Sequence, residues 1–132
     1  MLDADFIATH LGPDNDSQRT VLYEDSELGF CILAHVFKGA SSAPPHDHGV
    51  AWAIYGQATG QTEMAEYDMV SPPSDGEPGQ VSVRKTYMLE PGMAVAYPVG
   101  ALHAPTREDE TRLIRMEGQN LDGVKRDKYK LA

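Results

Sequence analysis

The chain has 132 residues, enough for one hydrophobic core, and we expect a single domain over residues 1–132 with its core at about 20–120. Its formal net charge of −9 argues against nucleic acid and anionic membranes as partners. No stretch approaches the ~20 apolar residues of a membrane span, and the N-terminus lacks the basic and apolar regions of a signal peptide. The single cysteine, Cys31, excludes an internal disulfide and fits the cytoplasm, where we expect the protein to reside.

Short apolar runs separated by turns predict an all-β fold. Residues 1–20 are broken by Gly12-Pro13 and predict a short element followed by a loop. Strands are then predicted at 20–23, 28–38, 46–57, 61–70, 81–89, 93–97 and 111–118. Residues 71–80 form the clearest loop, either a hairpin tip or a lid, and 123–132 is either a frayed tail or a packed arm. Turns every ~8–12 residues are typical of a β-sandwich or a jelly-roll barrel.

Three histidines in two short strings are the main chemical feature. His46 and His48 form a His-x-His pair, which on a strand would place two imidazoles on one face. His103 follows a Pro-x-Gly turn about fifty residues later and can complete a metal site with three nitrogen ligands. Three protein ligands leave coordination positions for a substrate or dioxygen. The sequence therefore predicts a small metalloprotein, and we favour an enzyme.

The second string resembles one of the paired motifs of the cupin superfamily, G-x5-P-x-G-x2-H-x3-N. Gly92, Pro98, Gly100 and His103 stand in register with it, and Arg107 replaces the terminal Asn. The resemblance implies an all-β cupin double-stranded β-helix, a jelly-roll barrel with a metal inside its wide end. It also implies a homodimer.

The first string is similar to the other cupin motif, G-x5-H-x-H-x3-4-E-x6-G. His46, His48 and Gly60 match it, and Gly39 is displaced by one position from the leading glycine. Trp52 or Ala53 occupies the position of the Glu, which in the superfamily normally supplies a fourth ligand. The missing carboxylate points to cupins with three histidines, such as the diketone-cleaving dioxygenases and the cysteine and 3-mercaptopropionate dioxygenases.

A short stretch resembles the bacterial thiol dioxygenases more specifically. His46-Asp47-His48-Gly49 is followed by Trp52 and, eight residues later, by Gly60, with one extra residue before the Trp. The remainder of the match is poorer, because Cys31 precedes the histidine pair and is not placed like the cysteine that some of these enzymes cross-link to a tyrosine. The reaction type is therefore less well defined than the fold.

Several other side chains are candidates for the site. Trp52 is either a pocket wall or a core residue, and Tyr55 and Tyr97 can donate hydrogen bonds or protons to a substrate. Arg112 and Arg115 are candidate pocket residues or surface charges, and at most one can face inward on a regular strand because they are three positions apart. We expect Asp47 to be structural, and Glu63 and Glu66 to be solvated rather than a fourth ligand.

The favoured function is a non-haem Fe(II) dioxygenase that acts on a small molecule of the thiol or diketone class. Zn, Ni and Mn are alternative metals. Three neutral ligands leave the metal its full positive charge, which favours an anionic thiolate or enolate. Two alternatives remain open: a metal-dependent lyase or isomerase with a Tyr base, and a non-catalytic cupin that senses a small ligand or a metal.

Overall fold

The computed structural model describes residues 3–132, and most of its regular structure is β. One helix, α1 (Ala4–His10), is capped by Asp3, whose carboxylate accepts the Phe6 N–H at 2.9 Å. The strands are β1 (Thr20–Glu24), β2 (Cys31–Phe37), β3 (Ser41–Ser42), β4 (Ala53–Thr59), β5 (Thr62–Ser71), β6 (Gly79–Leu89), β7 (Ala94–Tyr97), β8 (His103–Arg107), β9 (Thr111–Glu117) and β10 (Tyr129–Leu131). Within residues 3–132, no helix is long and apolar enough to cross a membrane.

The strands form two five-stranded sheets, which confirms the predicted all-β fold. One sheet has the order β1-β2-β9-β4-β7 and the other the order β10-β6-β5-β8-β3. In the first sheet β9 lies between β2 and β4, and its Arg115 is paired with Leu33 on one side and Tyr55 on the other. Side chains alternate between the faces of a strand, so these three residues share one face of the sheet.

The core fills the space between the two sheets. Met64 of β5 and Leu89 of β6 pack against Tyr55 of β4 and Tyr97 of β7, and all four are almost fully buried. Burying a side chain of this size contributes about 1.5–3 kcal/mol. This cluster joins the sheets on the side of the barrel where Tyr55 and Tyr97 contact the predicted metal ligands.

The predicted strand at 46–57 is wrong in its first half. His46 forms a single isolated bridge, and β4 begins only at Ala53. Between them the chain turns: Gly49 has a φ of 60°, and the Ala51 N–H donates to the His48 carbonyl at 3.0 Å. The left-handed conformation suits glycine, so the turn follows directly from the residue after the histidine pair.

The C-terminal segment is a packed arm. Strand β10 pairs in parallel with the start of β6, and Tyr129 is buried. The Tyr129 hydroxyl donates to Asp47 Oδ2 at 3.3 Å, and Arg126 donates to the Asp47 carbonyl at 3.0 Å. Asp47 is therefore structural, as predicted, because it ties the arm to the histidine pair. Residues 71–80 connect β5 to β6 as a hairpin tip.

Arg112 has a structural position that the sequence did not reveal. Its Nη1 donates to the carbonyls of Leu11, Gly12 and Asn15 at 2.7–3.0 Å, and its Nε pairs with Glu110. The guanidinium therefore anchors the segment after α1 to β9. Its predicted place in a substrate pocket stays a prediction.

We expect Arg112→Ala to lower the free energy of unfolding by at least about 2 kcal/mol, because it leaves buried carbonyls without their charged donor. Metal binding should be unchanged. The matched control is Arg84→Ala, which removes an exposed ion pair with Glu66 and should cost less than about 1 kcal/mol. Denaturant unfolding of the two variants checks this, and equal losses would contradict the anchoring role.

Candidate metal centre

Three imidazoles meet in the interior of the barrel. The potential ligand atoms of His46, His48 and His103 all lie within 4.8 Å of one another, and His48 Nε2 is 3.1 Å from His103 Nε2. His48 and His103 are buried, and His46 is partly buried. Among residues 3–132 this group contains no carboxylate. Its donor set is the one that divalent transition metals such as Fe, Zn, Ni and Cu accept.

A backbone bridge brings the two histidine strings together. The His46 N–H donates to the His103 carbonyl and the His103 N–H to the His46 carbonyl, both at 3.0 Å. This antiparallel pair holds the two rings with their centroids 4.6 Å apart. His48 lies two residues further on, and its ring stacks on that of His103 at 5.0 Å.

Carbonyl groups orient two of the imidazoles. Nδ1 of His46 lies 2.8 Å from the Pro44 carbonyl, and Nδ1 of His103 lies 3.1 Å from the Ala101 carbonyl. A carbonyl can only accept, so each Nδ1 carries the hydrogen and each Nε2 presents a lone pair. Nδ1 of His48 faces Glu117 Oε1 at 3.9 Å. The form of His46 and His103 with the hydrogen on Nδ1 is the tautomer that metal ligation through Nε2 requires.

Burial keeps the imidazoles neutral. It lowers the pKa of His48 to about 2 and that of His103 to about 3, and it also lowers the pKa of His46. The Arg115 guanidinium acts in the same direction on all three, and neighbouring imidazoles reinforce the shift at His48 and His103. Only a neutral imidazole can bind a metal, so the fold holds His48 and His103 in their binding form well below pH 6.

Tyr55 completes the group. Its hydroxyl oxygen lies 2.9 Å from His48 Nε2 and 3.2 Å from His103 Nε2, and its side chain is buried. Burial raises the pKa of the phenol, while the Arg115 guanidinium, whose Cζ lies 4.5 Å from the centre of the ring, opposes this effect. The phenol therefore stays neutral without a metal, with its oxygen among the imidazole nitrogens.

The other two aromatic candidates lie beside the centre in different ways. The Tyr97 ring stacks on His103 at 4.0 Å, but its hydroxyl contacts that of Tyr87. Trp52 is 36% exposed, and its indole packs over Gly118, where a Cβ would lie 2.8 Å from Nε1. Tyr97 therefore supports the His103 ring, and the Trp52 indole covers the end of β9.

The two acidic residues considered as a fourth ligand lie outside the three-histidine group. The Glu66 carboxylate accepts hydrogen bonds from Tyr87 and Arg84, both at 2.7 Å, and Glu63 is exposed. Glu66 holds the hydroxyl of Tyr87, which in turn contacts that of Tyr97. The carboxylate thus stabilises the aromatic neighbours of His103.

Two arginines have their side chains in the interior, Arg115 beside Tyr55 and Arg107 at the opposite end of β8 from His103. Arg115 Nη1 donates to Glu117 Oε1 at 3.2 Å, so its charge is compensated. Arg107 is 4% exposed, its guanidinium lies 4.0 Å above the Phe37 ring, and its Nε and Nη2 have no partner. Burial, assisted by Arg115, lowers the pKa of Arg107 to about 10, so it stays charged. The sequence analysis did not select Arg107, although its position four residues after His103 on β8 places both on one strand face.

A cleft of about 350 Å³ lies over Arg115 and Glu117. Its lining includes Arg19 and Arg126. Glu117 is also the residue that faces His48, so the cleft borders the imidazole group. The charged side chains of its lining are three arginines and two carboxylates, those of Glu117 and Asp122.

Solved structures of similar fold include proteins described as cupin domains. KdgF from Halomonas sp. is similar with a TM-score of 0.59 and 17% identity, over 80% of this chain and 82% of that one. A cupin-2 domain protein from Shewanella frigidimarina gives 0.58 and 13% (84% and 89% covered), and the Schizosaccharomyces pombe Cnp3 cupin domain gives 0.61 and 11% (86% and 74% covered). No protein-family profile and no curated protein sequence matches the chain.

The fold is therefore a cupin β-barrel, and its interior carries a three-histidine group suited to a divalent metal. At these identities the likeness defines the fold alone. The particular chemistry has to be argued from the residues of this chain.

The stability of the metal-free protein should fall between pH 7 and pH 5. In the unfolded chain a histidine takes up a proton near pH 6.5, but in the fold His35, His48 and His103 stay neutral down to about pH 2 to 3. The unfolded state then binds more protons, and each histidine removes up to about 1.4 kcal/mol per pH unit below 6.5.

Denaturant unfolding at pH 7, 6 and 5 measures this effect. His35→Leu serves as the matched variant, because His35 is buried outside the three-histidine group. His35→Leu should reduce the change of the free energy of unfolding with pH by the contribution of one proton, up to about 1.4 kcal/mol per pH unit. Equal stability at pH 7 and 5 would contradict the assignment of neutral buried imidazoles.

Proposed function

We propose that this protein is a metal-dependent enzyme, a non-haem Fe(II) dioxygenase of a small anionic substrate of the thiol or diketone class. The observation that carries the proposal is the buried group of three neutral imidazoles without a carboxylate. Imidazole suits Fe(II) as well as Zn and Ni, and a three-nitrogen set leaves positions for two further ligands. When Fe(II) is bound, it supplies the chemistry that transfers both atoms of dioxygen to the substrate without an external reductant.

The surrounding residues support an anionic substrate. Arg107 is a buried cation with two unpartnered donors, and an isolated buried charge is costly unless a counter-ion pairs with it. Arg115 lies beside Tyr55 and borders the cleft through which a small molecule could reach the imidazoles. In this proposal the arginines hold the negative group of the substrate, and the apolar interior excludes water.

One observation favours a second function, a metal-dependent lyase or isomerase. The Tyr55 hydroxyl lies among the imidazoles, where it could exchange a proton with a bound substrate. In that reaction the metal acts as a Lewis acid and dioxygen is not consumed. Conversion of a substrate under strictly anaerobic conditions separates this reaction from the dioxygenase.

Metal content tests the first step of the proposal. Wild-type protein titrated with Fe(II) or Zn(II) and then dialysed should retain about one ion per chain, and His103→Ala should retain less than a tenth of that because one nitrogen ligand is lost. His10→Ala is the control, since His10 lies on α1 outside the group. Elemental analysis gives the result. Absence of metal from the wild type, or full occupancy in His103→Ala, would overturn the proposed centre.

Dioxygen uptake tests the reaction. The Fe(II)-loaded protein is offered thiols and β-diketones, each paired with an uncharged analogue, in an oxygen-electrode assay. We expect uptake with an anionic member of the panel and none with the Zn(II)-loaded protein. Tight binding of a panel member without turnover under any metal would instead identify a sensor.

Arg107→Met should weaken substrate binding without lowering the free energy of unfolding. Loss of one charged hydrogen-bond donor costs about 1.5–3 kcal/mol, so KM for the anionic substrate should rise about 10- to 100-fold. Removal of an unpaired buried charge should leave the free energy of unfolding equal or higher. Steady-state kinetics and denaturant unfolding measure the two effects. An unchanged KM would exclude Arg107 from substrate binding.

A further inference from the structure

We propose that Tyr55 is a fourth protein ligand of the metal, through its phenolate oxygen. The inference rests on the proposed metal centre and goes beyond its three histidines. Tyr55 Oη, His48 Nε2 and His103 Nε2 form a nearly equilateral triangle with edges of 2.9, 3.1 and 3.2 Å. Ligands about 2.0–2.2 Å from one ion are separated by about 2.8–3.6 Å, for bond angles from 90° to tetrahedral. The triangle has the dimensions of one face of a coordination polyhedron.

Hydrogen bonding can satisfy these three atoms only if His48 carries its hydrogen on Nε2. His103 Nε2 carries no hydrogen, because its Nδ1 hydrogen is directed to the Ala101 carbonyl. With the His48 hydrogen on Nε2, His48 donates to Tyr55 and Tyr55 donates to His103, but the buried His48 Nδ1 then has no hydrogen to direct at Glu117 Oε1, 3.9 Å away. With the His48 hydrogen on Nδ1, the lone pairs of all three atoms meet at one point, which is the arrangement that a cation stabilises.

The sequence around Tyr55 explains why a phenol can reach this point. Trp52 is directed over Gly118, and Ala53, the first inward residue of β4, has too short a side chain to ligate. Tyr55 is the next inward residue on the same strand face. Its longer side chain brings an oxygen to the imidazoles from two positions beyond the place where the first cupin motif has its Glu.

The charges of the interior agree with an anionic ligand. Two buried or half-buried guanidiniums, those of Arg107 and Arg115, are accompanied by one carboxylate, that of Glu117, which leaves one positive charge in excess. The Arg115 guanidinium lies directly over the Tyr55 ring. A divalent metal would add two further positive charges, and a phenolate at Tyr55, whose proton would pass to solvent, would offset one of the resulting three.

Cu(II) loading provides the decisive experiment, because phenolate bound to Cu(II) gives a visible charge-transfer band and phenolate ring modes in the resonance Raman spectrum. The protein is titrated with Cu(II) alone and examined as wild type, as Tyr55→Phe and as Tyr97→Phe. Tyr97→Phe is the matched control, since its hydroxyl contacts Tyr87 although its ring stacks on His103. We expect the band in the wild type and in Tyr97→Phe and its loss in Tyr55→Phe.

A chelator competition gives a second readout. Tyr55→Phe should bind Zn(II) at least 10- to 100-fold more weakly than the wild type, since loss of an outer partner already has that effect. Wild-type protein that binds Cu(II) without phenolate modes would overturn the Tyr55 assignment and leave the three-histidine centre standing. Wild-type protein that binds neither ion would overturn the proposed function itself. Retention of the phenolate modes in Tyr55→Phe would likewise overturn the assignment, and the absence of these modes from the wild type does so whether or not the variant folds.

Discussion

The pairing of His46 with His103 is the constraint on which the candidate site depends. The two residues are far apart in sequence, and neither string contains a complete ligand set. Their two mutual backbone hydrogen bonds, both 3.0 Å long, fix the distance between the strings. The arm that ends in β10 supports the same place from outside, because Tyr129 and Arg126 both bind Asp47. Backbone pairing thus sets the relative positions of the imidazoles.

Burial then determines the chemistry that this geometry can perform. The low-dielectric interior keeps His48 and His103 uncharged, and it makes the uncompensated guanidinium of Arg107 costly. Both effects favour the same kind of occupant, a metal cation on the imidazoles together with an anion near the arginines. A chain with a net charge of −9 can thereby hold an uncompensated guanidinium in its interior.

The sequence predicted the strands well where the hydrophobic pattern was continuous, as in β2 (Cys31–Phe37) and β9 (Thr111–Glu117). It failed at the histidine pair, because the alternation rule was applied through Gly49, where the chain turns. The rule that at most one of Arg112 and Arg115 faces inward was right, but no local pattern shows that the outer one binds the carbonyls beyond α1. Arg107 could have been found from the sequence, since its even spacing from His103 puts both on one face of β8.

The missing Glu has a different meaning in the folded chain than in the sequence alone. Taken as a vacant ligand position, it suggests a metal held by three imidazoles only. In the barrel, the inward residue at that level is Ala53, and the space its small side chain leaves lies next to the phenol of Tyr55. A carboxylate offers two oxygen donors, whereas a phenol offers a single oxygen of higher basicity. The oxygen of Tyr55 is attached to a rigid ring, and the Arg115 guanidinium covers that ring. Together with the three imidazoles, the phenol oxygen would hold a divalent metal by four side chains of this chain.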